Sequence, residues 1–461
     1  MGWRPLVFVL MDAHLIDSAV YGHGWSTAES LAIFSEQARL RRWVQVLQAL
    51  AAAQAEVGII PGASARAINR LDADRLDAAA MGAETRRTSH SALGLVGQLQ
   101  AQLPGAAREH VYYGATVQDV SDTAAALEMR DVGGIVWRDL RAVEGSLLEL
   151  AGRHRETPML GRTHGQPGAP VTFGLKVASW ADETARHLDR WRQSRPRLVV
   201  GQLAGAVGAL GFYGDLGPEL RRRFCGRLGL GEPAVSWIAA RDRMAEFANN
   251  AAVVSATMAR MANEVYNLQR REIAEVAEAA SEATVGSFTM PHKRNPERSE
   301  QMVTLARLVR SAAGTLTETM VGDHERDGRT WKAEWVLLPE LCHYLLAQLN
   351  LARGLAAGIE VDAEAMTANL ETMGDSGSQE LLKRLSARLG KHRANDELQQ
   401  AYRTARLTGR PVAEVLEGIA TPAELEGLDR PATGAAAAMV DAVVAAATKR
   451  RTGETDEWGR T

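Results

Sequence analysis

The chain has 461 residues, a formal net charge of −3 and a charged fraction of 24%. Its length allows two or three domains with a large core. A nucleic-acid-binding surface needs clustered basic residues, so this balance gives no reason to expect a nucleic-acid partner. The apolar run Leu6 to Met11 is much shorter than the roughly 20 residues of a membrane-spanning helix, so no membrane partner is expected. Cys225 and Cys342 lack the spacing of a metal or disulfide site, which fits a cytoplasmic protein.

Helical periodicity dominates the sequence, and strand signals are weak. Apolar residues share one helical face between Trp137 and His154, and the stretch from Leu175 to Arg195 contains neither Gly nor Pro. Apolar residues from Phe247 to Val276 recur every three to five positions, again without Gly or Pro. This pattern predicts one amphipathic helix of about 35 residues, which is typical of an extended bundle. We therefore expect an all-α protein.

Changes in composition near residues 105–110 and 358–362 divide the chain into three predicted domains. Residues 1–108 form an N-terminal helical domain, residues 109–357 a central long-helix bundle, and residues 358–461 a C-terminal helical domain. The stretch from Lys449 to Thr461 is charged and contains glycine. This composition predicts a frayed tail.

The first polar segment with a chemical signature runs from Tyr112 to Ala124. The stretch from Gly114 to Ser121 is predicted to begin a helix, and the free N–H groups of a helix N-terminus favour an anion. Asp122 and Thr123 follow directly. Without further information, these two residues are equally consistent with ordinary helix capping.

A histidine suited to proton donation lies at position 164. It is flanked by Thr163, Gly165 and Gln166 in a polar turn. An unperturbed imidazole has a pKa of about 6.5, which suits general acid catalysis near neutral pH. The alternative is a histidine that caps a helix.

Ser287 and Lys293 lie six residues apart in a loop that has glycine and proline at its ends. A serine hydroxyl is a poor base, and it acts as one only where other groups stabilise its oxyanion. Lys293 supplies a positive charge, and Asn295 supplies an amide donor for a carboxylate. This combination suits removal of a proton next to a carboxylate. The alternative is a plain connecting loop between two helices.

This loop closely resembles the signature loop of the aspartase/fumarase superfamily, Gly-Ser-Ser-x-Met-Pro-x-Lys-x-Asn-Pro. It reads Gly286-Ser287-Phe288-Thr289-Met290-Pro291-His292-Lys293-Arg294-Asn295-Pro296. The segments 112–124 and 161–176 resemble the other two signature regions, and the resemblance extends from about Asp17 to Gly418. Three positions depart from the pattern: Phe288 replaces a second serine, Val117 the serine of a Thr-Ser pair, and Tyr112 a histidine.

The resemblance implies three mainly helical domains, with four subunits joined through the central bundle into a twenty-helix core. It implies active sites shared by three subunits, a small dicarboxylate substrate and no metal or organic cofactor. The implied reaction is β-elimination from a substituted succinate. Ser287 would be the base and His164 the acid, and Glu300 would orient His164. Lys293 and Asn295 would stabilise the aci-carboxylate.

The resemblance also implies further substrate contacts. Thr116 belongs to the signature pair that binds a substrate carboxylate. The other contacts lie in matching polar segments: Ser89 and His90 in segment 86–91, Thr163 and Gln166 beside the acid, and Arg326 in segment 324–335.

The subfamily features are mixed. The region around His164 resembles adenylosuccinate lyases, but Ser91 stands where those enzymes have an aspartate, and their Arg-Tyr pair has no counterpart near Tyr21. The pattern Gly-x-x-Trp-x-Ala-Glu-Trp at residues 328–335 resembles 3-carboxy-cis,cis-muconate cycloisomerases, whose bacterial members lack the histidine. Phe288 and Val117 make the pocket smaller and drier, which disfavours a nucleotide.

We therefore expect a carbon–nitrogen lyase of specialised metabolism that releases fumarate and a small nitrogen species, as nitrosuccinate lyases do. Three alternatives remain open. They are an adenylosuccinate lyase, a lactonising cycloisomerase, and a structural homologue without catalytic activity.

Overall fold

The computed structural model describes residues 14–280, 287, 289–290, 292–373, 377–428, 430–455 and 457–459. These residues form mainly α-helices, together with two small antiparallel sheets, so the predicted all-α fold class is confirmed. No helix in this part of the chain is both long and apolar enough to cross a bilayer.

The helices are α1 Ala28–Phe34, α2 Glu36–Glu56, α3 Gly62–Ile68, α4 Ala78–Thr88, α5 Leu93–Gln102, α6 Val117–Arg153, α7 Phe173–Leu198, α8 Gly217–Arg227, α9 Asp242–Leu268, α10 Glu297–Glu318, α11 Gly328–Ala357, α12 Ala363–Met373, α13 Ser378–Leu389, α14 Lys391–Thr408, α15 Val412–Val415, α16 Pro422–Leu425 and α17 Ala436–Thr452. The strands are β1 Pro158–Thr163 and β2 Gln166–Thr172, which pair with each other, and β3 Val276–Glu278 and β4 Ile359–Val361, which also pair.

The core lies in a bundle of five long helices, α6, α7, α9, α10 and α11, which pack along one another. Helix α6 has 37 residues and is therefore about 55 Å long. Leu140, Val143 and Leu147 recur on it at helical spacing and are completely buried. A smaller apolar cluster lies apart in helices α13 to α16, around Leu385 and Leu398. The division into three domains stays a prediction.

Two of the three predicted helices are confirmed, and the third is shorter than predicted. Helices α6 and α7 contain the stretches 137–153 and 175–195. Helix α9 ends at Leu268, so the prediction that it continues through Ile273 to Val276 is wrong. A turn follows from Gln269, Ala274 within it adopts a left-handed φ of 54°, and Val276 then pairs with Val361 in the β3–β4 sheet.

The prediction of a frayed tail is also wrong. Helix α17 packs against α7 and extends to Thr452, and the indole of Trp458 lies beyond it with only 6% exposure. The indole Nε1 donates a hydrogen bond to the Trp191 carbonyl at 3.0 Å. A Cβ atom at Gly133 would lie 2.0 Å from the Trp458 ring, so only glycine leaves room for it. The described residues of this C-terminal segment are thus anchored on the bundle through Trp458.

Replacing Trp458 with alanine should lower the free energy of unfolding by about 3–5 kcal/mol, because a buried indole leaves a cavity. Urea denaturation followed by circular dichroism measures the loss. Leu407, which is 78% exposed, provides the control, and Leu407→Ala should change stability by less than about 0.5 kcal/mol. Equal effects of the two replacements would contradict the anchoring.

Candidate functional site

The start of helix α6 is fixed by Asp119, a buried aspartate. Its carboxylate accepts hydrogen bonds from the N–H groups of Thr116 at 3.0 Å, Ala204 at 2.8 Å and Gly205 at 3.2 Å. Burial raises the pKa of Asp119 to about 7, although these three donors act in the opposite direction. The predicted helix start is confirmed, and the Thr116 hydroxyl stands at it.

Arg326 contacts Thr116 at the N-terminus of α6, and these two side chains form the Thr116–Arg326 corner. Its Nη1 donates to the Thr116 Oγ1 at 2.9 Å, and its Nη2 donates to the Gly205 carbonyl at 3.3 Å. The guanidinium is partly exposed. A guanidinium and a hydroxyl at a helix N-terminus offer donors and positive charge to one carboxylate. The structure thus brings together two predicted substrate contacts that are 210 residues apart in sequence.

A buried ion triad lies one to two turns behind this corner. Arg241 donates to both carboxylate oxygens of Asp122, at 2.8 and 3.0 Å, and its Nε donates to Glu334 at 2.9 Å. Thr123 exchanges two hydrogen bonds with the Gln202 backbone, at 2.8 and 2.9 Å. Asp122 and Thr123 therefore lie inside α6 and hold it to other elements, so their interpretation as capping residues is wrong.

His164 lies at the tip of the β1–β2 hairpin. Thr163 pairs with Gln166, and the two residues between them have φ values of 53° for His164 and 72° for Gly165. Two positive φ angles are what a type I′ hairpin turn requires. The imidazole is exposed and caps no helix, so the capping alternative is wrong.

The base of this hairpin is held by residues that the sequence analysis did not assign. Arg162 donates to both oxygens of Glu275, at 2.6 and 2.9 Å, and Glu275 is completely buried. Asn369 of α12 donates to the same carboxylate at 2.9 Å. Arg162 belongs to a signature segment, but nothing in the sequence marks a partner 113 residues later.

The Ser287 hydroxyl is surrounded by backbone donors. Its Oγ accepts hydrogen bonds from the N–H groups of Met290 at 3.1 Å and Thr289 at 3.3 Å. Donors placed in this way stabilise an oxyanion and so favour the basic form of a serine. Phe288, with Gly286 and Pro291, lies outside the described residues, and the predicted effect of Phe288 on the pocket stays a prediction.

Glu278 of β3 anchors the far end of this loop. Its buried carboxylate accepts hydrogen bonds from the N–H groups of Arg298 and Ser299 at 3.1 and 2.7 Å, and from the Ser299 hydroxyl at 2.5 Å. A carboxylate at a helix N-terminus stabilises the first turn, here that of α10. The strand before the loop and the helix after it are thereby joined.

Lys293, Asn295 and Glu300 line one open cavity of about 1480 Å³ between the loop, the end of α9 and β4. Lys293 and Glu300 are exposed, and the Asn295 amide donates to Glu297 at 3.1 Å. This arrangement places a cation, an amide and a carboxylate around one volume large enough for a substrate.

The remaining predicted residues lie apart. Ser89 ends α4 with a φ of 56°, and the exposed His90 accepts a hydrogen bond from the Ala92 N–H at 3.3 Å. Between the described residues of one chain, no hydrogen bond or ion pair joins His164 to Glu300 or to Ser287. The roles given to the site residues stay predictions.

Residues 25–310 match a family described simply as lyase. The chain belongs to this family. It is a lyase of the aspartase/fumarase superfamily, as its motifs predicted.

The proteins to which this lyase is similar are named for several different activities. It is 42% identical to the N-acetyl-S-(2-succino)cysteine lyase of Dickeya dadantii over 84% of its own length and 85% of the relative's. It is 35% identical to the adenylosuccinate lyase of Pyrococcus abyssi, over 88% and 90% of the two chains. The crystal structure of the 3-carboxy-cis,cis-muconate lactonizing enzyme from Pseudomonas putida superposes with a TM-score of 0.85 at 32% identity, covering 94% of this chain and 99% of the other.

Proposed function

We propose that the lyase releases fumarate from a succinate that carries a thioether substituent at C2. The observation that carries this proposal is the 42% identity, over 84% of the chain, to a relative named N-acetyl-S-(2-succino)cysteine lyase. The geometry agrees with it. The Thr116–Arg326 corner suits one carboxylate of the succinate, and the backbone donors around the Ser287 Oγ suit a serine base.

The proposed elimination needs only a base, a charge-stabilising group and a proton source. The Ser287 alkoxide takes a proton from the carbon beside one carboxylate, and Lys293 stabilises the aci-carboxylate that forms. The electron pair then forms the C=C bond while the C–S bond breaks, and sulfur leaves with the bonding electrons. His164 gives this sulfur a proton. The products are fumarate and a free thiol.

We further propose that each active site is shared between copies of the chain in a homotetramer. No hydrogen bond or ion pair joins the His164 hairpin tip to Ser287 among the described residues of one chain, and the exposed His164 and Lys293 are open to a neighbouring copy. Glu300 would then orient the His164 of a neighbouring copy. Mixing Arg326→Ala and Ser287→Ala proteins, which lack the carboxylate contact and the base respectively and should both be nearly inactive, followed by dissociation and reassembly, should restore part of the activity. Continued inactivity of the reassembled mixture would contradict sharing.

A nitrogen leaving group, which the sequence analysis favoured, is the second candidate. The 35% identity to an adenylosuccinate lyase over 88% of the chain supports it. The two candidates make different demands on His164. A thiol has a pKa of about 8.5 and leaves readily as a thiolate, whereas a departing nitrogen anion is far more basic and needs protonation.

Replacing His164 with asparagine should therefore distinguish the two leaving groups. With a thioether substrate, kcat should fall by less than about tenfold. With a nitrogen substrate, it should fall by about 10² to 10⁴, the usual contribution of a general acid. Fumarate absorbance measures both rates. The exposed His392 serves as control, since His392→Asn should leave both unchanged. A large loss with the thioether would contradict this distinction.

A substrate panel tests the function itself. It contains N-acetyl-S-(2-succino)cysteine, adenylosuccinate, argininosuccinate, aspartate, nitrosuccinate and 3-carboxy-cis,cis-muconate. The thioether should give the highest kcat/KM and equimolar fumarate and thiol, the thiol being measured with a disulfide reagent. A higher kcat/KM for adenylosuccinate or nitrosuccinate would identify a carbon–nitrogen lyase. Lactone formation without fumarate would identify a cycloisomerase.

A further inference from the structure

A second cavity, of about 260 Å³, lies between the N-terminal helices α2 and α4 and the bundle helices α6 and α11. Its wall includes Ser91, the neighbour of His90, and Ser121, which is five residues beyond Thr116 on α6. At 1.5 Å per residue, Ser121 lies about 8 Å along the helix from Thr116. The cavity therefore adjoins the segments that carry the predicted substrate contacts.

Two tryptophans form the apolar wall of this cavity. Trp43 of α2 and Trp335 of α11 meet edge to face with ring centroids 6.3 Å apart, and both are only half buried. Met81 and Leu338 extend the apolar surface. Concave sites with aromatic walls and few polar groups are typical of binding sites for small organic molecules. At 260 Å³ the volume suits a small group.

One polar side chain of the wall has no partner. Ser121 is 6% exposed, and its Oγ makes no hydrogen bond to any described residue. A buried hydroxyl without a partner costs free energy that a bound carbonyl oxygen would recover. Because Ser121 lies at the Thr116 end, this carbonyl would belong to the part of a ligand nearest the succinate.

The charges of the wall disfavour an anion. Arg39 is its one lining cation among the described residues, whereas Glu36 and Glu128 both contribute carboxyl groups. The nearest cation to Glu128 is Arg42, at 3.8 Å, and burial raises the pKa of Glu128 to about 7. The other two lining carboxylates already share Arg241. A phosphate dianion would find no surplus of positive charge here.

We propose that this cavity is the leaving-group subsite of the lyase and that it takes an uncharged apolar tail attached through an acyl amide. Trp43 and Trp335 determine this specificity, and the Ser121 hydroxyl donates to the acyl carbonyl. The inference rests on the proposed function, since it assigns the part of the substrate that departs. It predicts that N-acylated thiols leave from this site and that phosphorylated leaving groups are rejected.

A series of succinyl thioethers tests the subsite. The leaving thiols are methanethiol and cysteine with an N-acetyl, N-butyryl or N-hexanoyl group. Burial of each methylene should raise kcat/KM about fourfold until the cavity is full. Trp335→Ala should abolish this rise, so that kcat/KM no longer increases with acyl length. Trp25, which packs on Tyr344 outside the cavity, supplies the control, and Trp25→Ala should keep the rise.

Quenching of tryptophan fluorescence measures binding of the free N-acylcysteines without catalysis. It therefore tests the subsite separately from the proposed function. If no succinate releases fumarate but binding still tightens with acyl length, the proposed function fails and the apolar subsite stands. If fumarate is released at a rate independent of acyl length, or if Trp335→Ala slows all thioethers equally, the subsite assignment is overturned. A preference for adenylosuccinate would also overturn it.

Discussion

Replacing Ser287 with alanine should lower kcat for fumarate release by about a thousandfold, within the usual range for loss of a general base. The two N–H groups that face the Ser287 Oγ can stabilise its oxyanion, and alanine has no atom to use them. The fold and the assembly should not change, because the hydrogen bonds of the Ser287 hydroxyl to the described residues stay within its own loop.

The measurement compares single-substrate kinetics of the wild type and Ser287→Ala with the best succinate of the panel. Ser311→Ala, an exposed serine on α10, should behave like the wild type. Because the Thr116–Arg326 corner is intact in Ser287→Ala, fumarate should still bind with unchanged affinity. Residual activity within tenfold of the wild type would mean that another group removes the proton.

The helical architecture could be predicted from periodicity because a buried helix face repeats within the local sequence. The failures have non-local causes. Helix α9 ends early because Val276 pairs with Val361, a residue 85 positions later. The segment around Trp458 is anchored because its indole fills the space above Gly133. Neither contact leaves a periodic signal near the residues that it constrains.

The same distinction applies to the candidate site. Short motifs with fixed offsets marked Ser287, His164 and Thr116, because their local turns can be recognised in the sequence. The contact of Arg326 with Thr116 and the contact of Arg162 with Glu275 depend on how distant elements pack. A single sequence therefore indicated the candidate site residues but not the long-range hydrogen bonds and ion pairs around them.

Replacing Arg241 with methionine should lower the free energy of unfolding by about 3–5 kcal/mol, the usual result of removing one partner from a buried ion network. The guanidinium is 2% exposed and contacts two carboxylates, Asp122 and Glu334, that are almost as buried. Burial already raises the pKa of Glu334 while Arg241 opposes that rise. In the variant both carboxylates lose their cation.

The loss in the free energy of unfolding of Arg241→Met should be larger at high pH than at low pH. Without Arg241 nothing opposes the effect of burial on Glu334, so its folded-state pKa lies above its unfolded value of about 4 and the folded variant binds more protons than the unfolded chain. The contribution of Glu334 to the stability of the variant is therefore fully present below about pH 4 and is lost as pH rises through the folded pKa. Urea titrations at pH 5 and pH 8 should show the larger deficit at pH 8. Equal deficits would show that lost packing, not charge, dominates.

Two further variants test whether the loss of stability in Arg241→Met comes from unpaired buried charge. Arg260, which is 53% exposed and pairs with Glu183, is the matched surface case, and Arg260→Met should cost less than about 1 kcal/mol. Combining Arg241→Met with Asp122→Asn and Glu334→Gln should recover part of the loss, because no uncompensated charge remains buried.

Asp122 lies six residues after Thr116 on α6, so the folded fraction of Arg241→Met should show a raised KM. The triad would then stabilise the fold and position the carboxylate corner through the same helix.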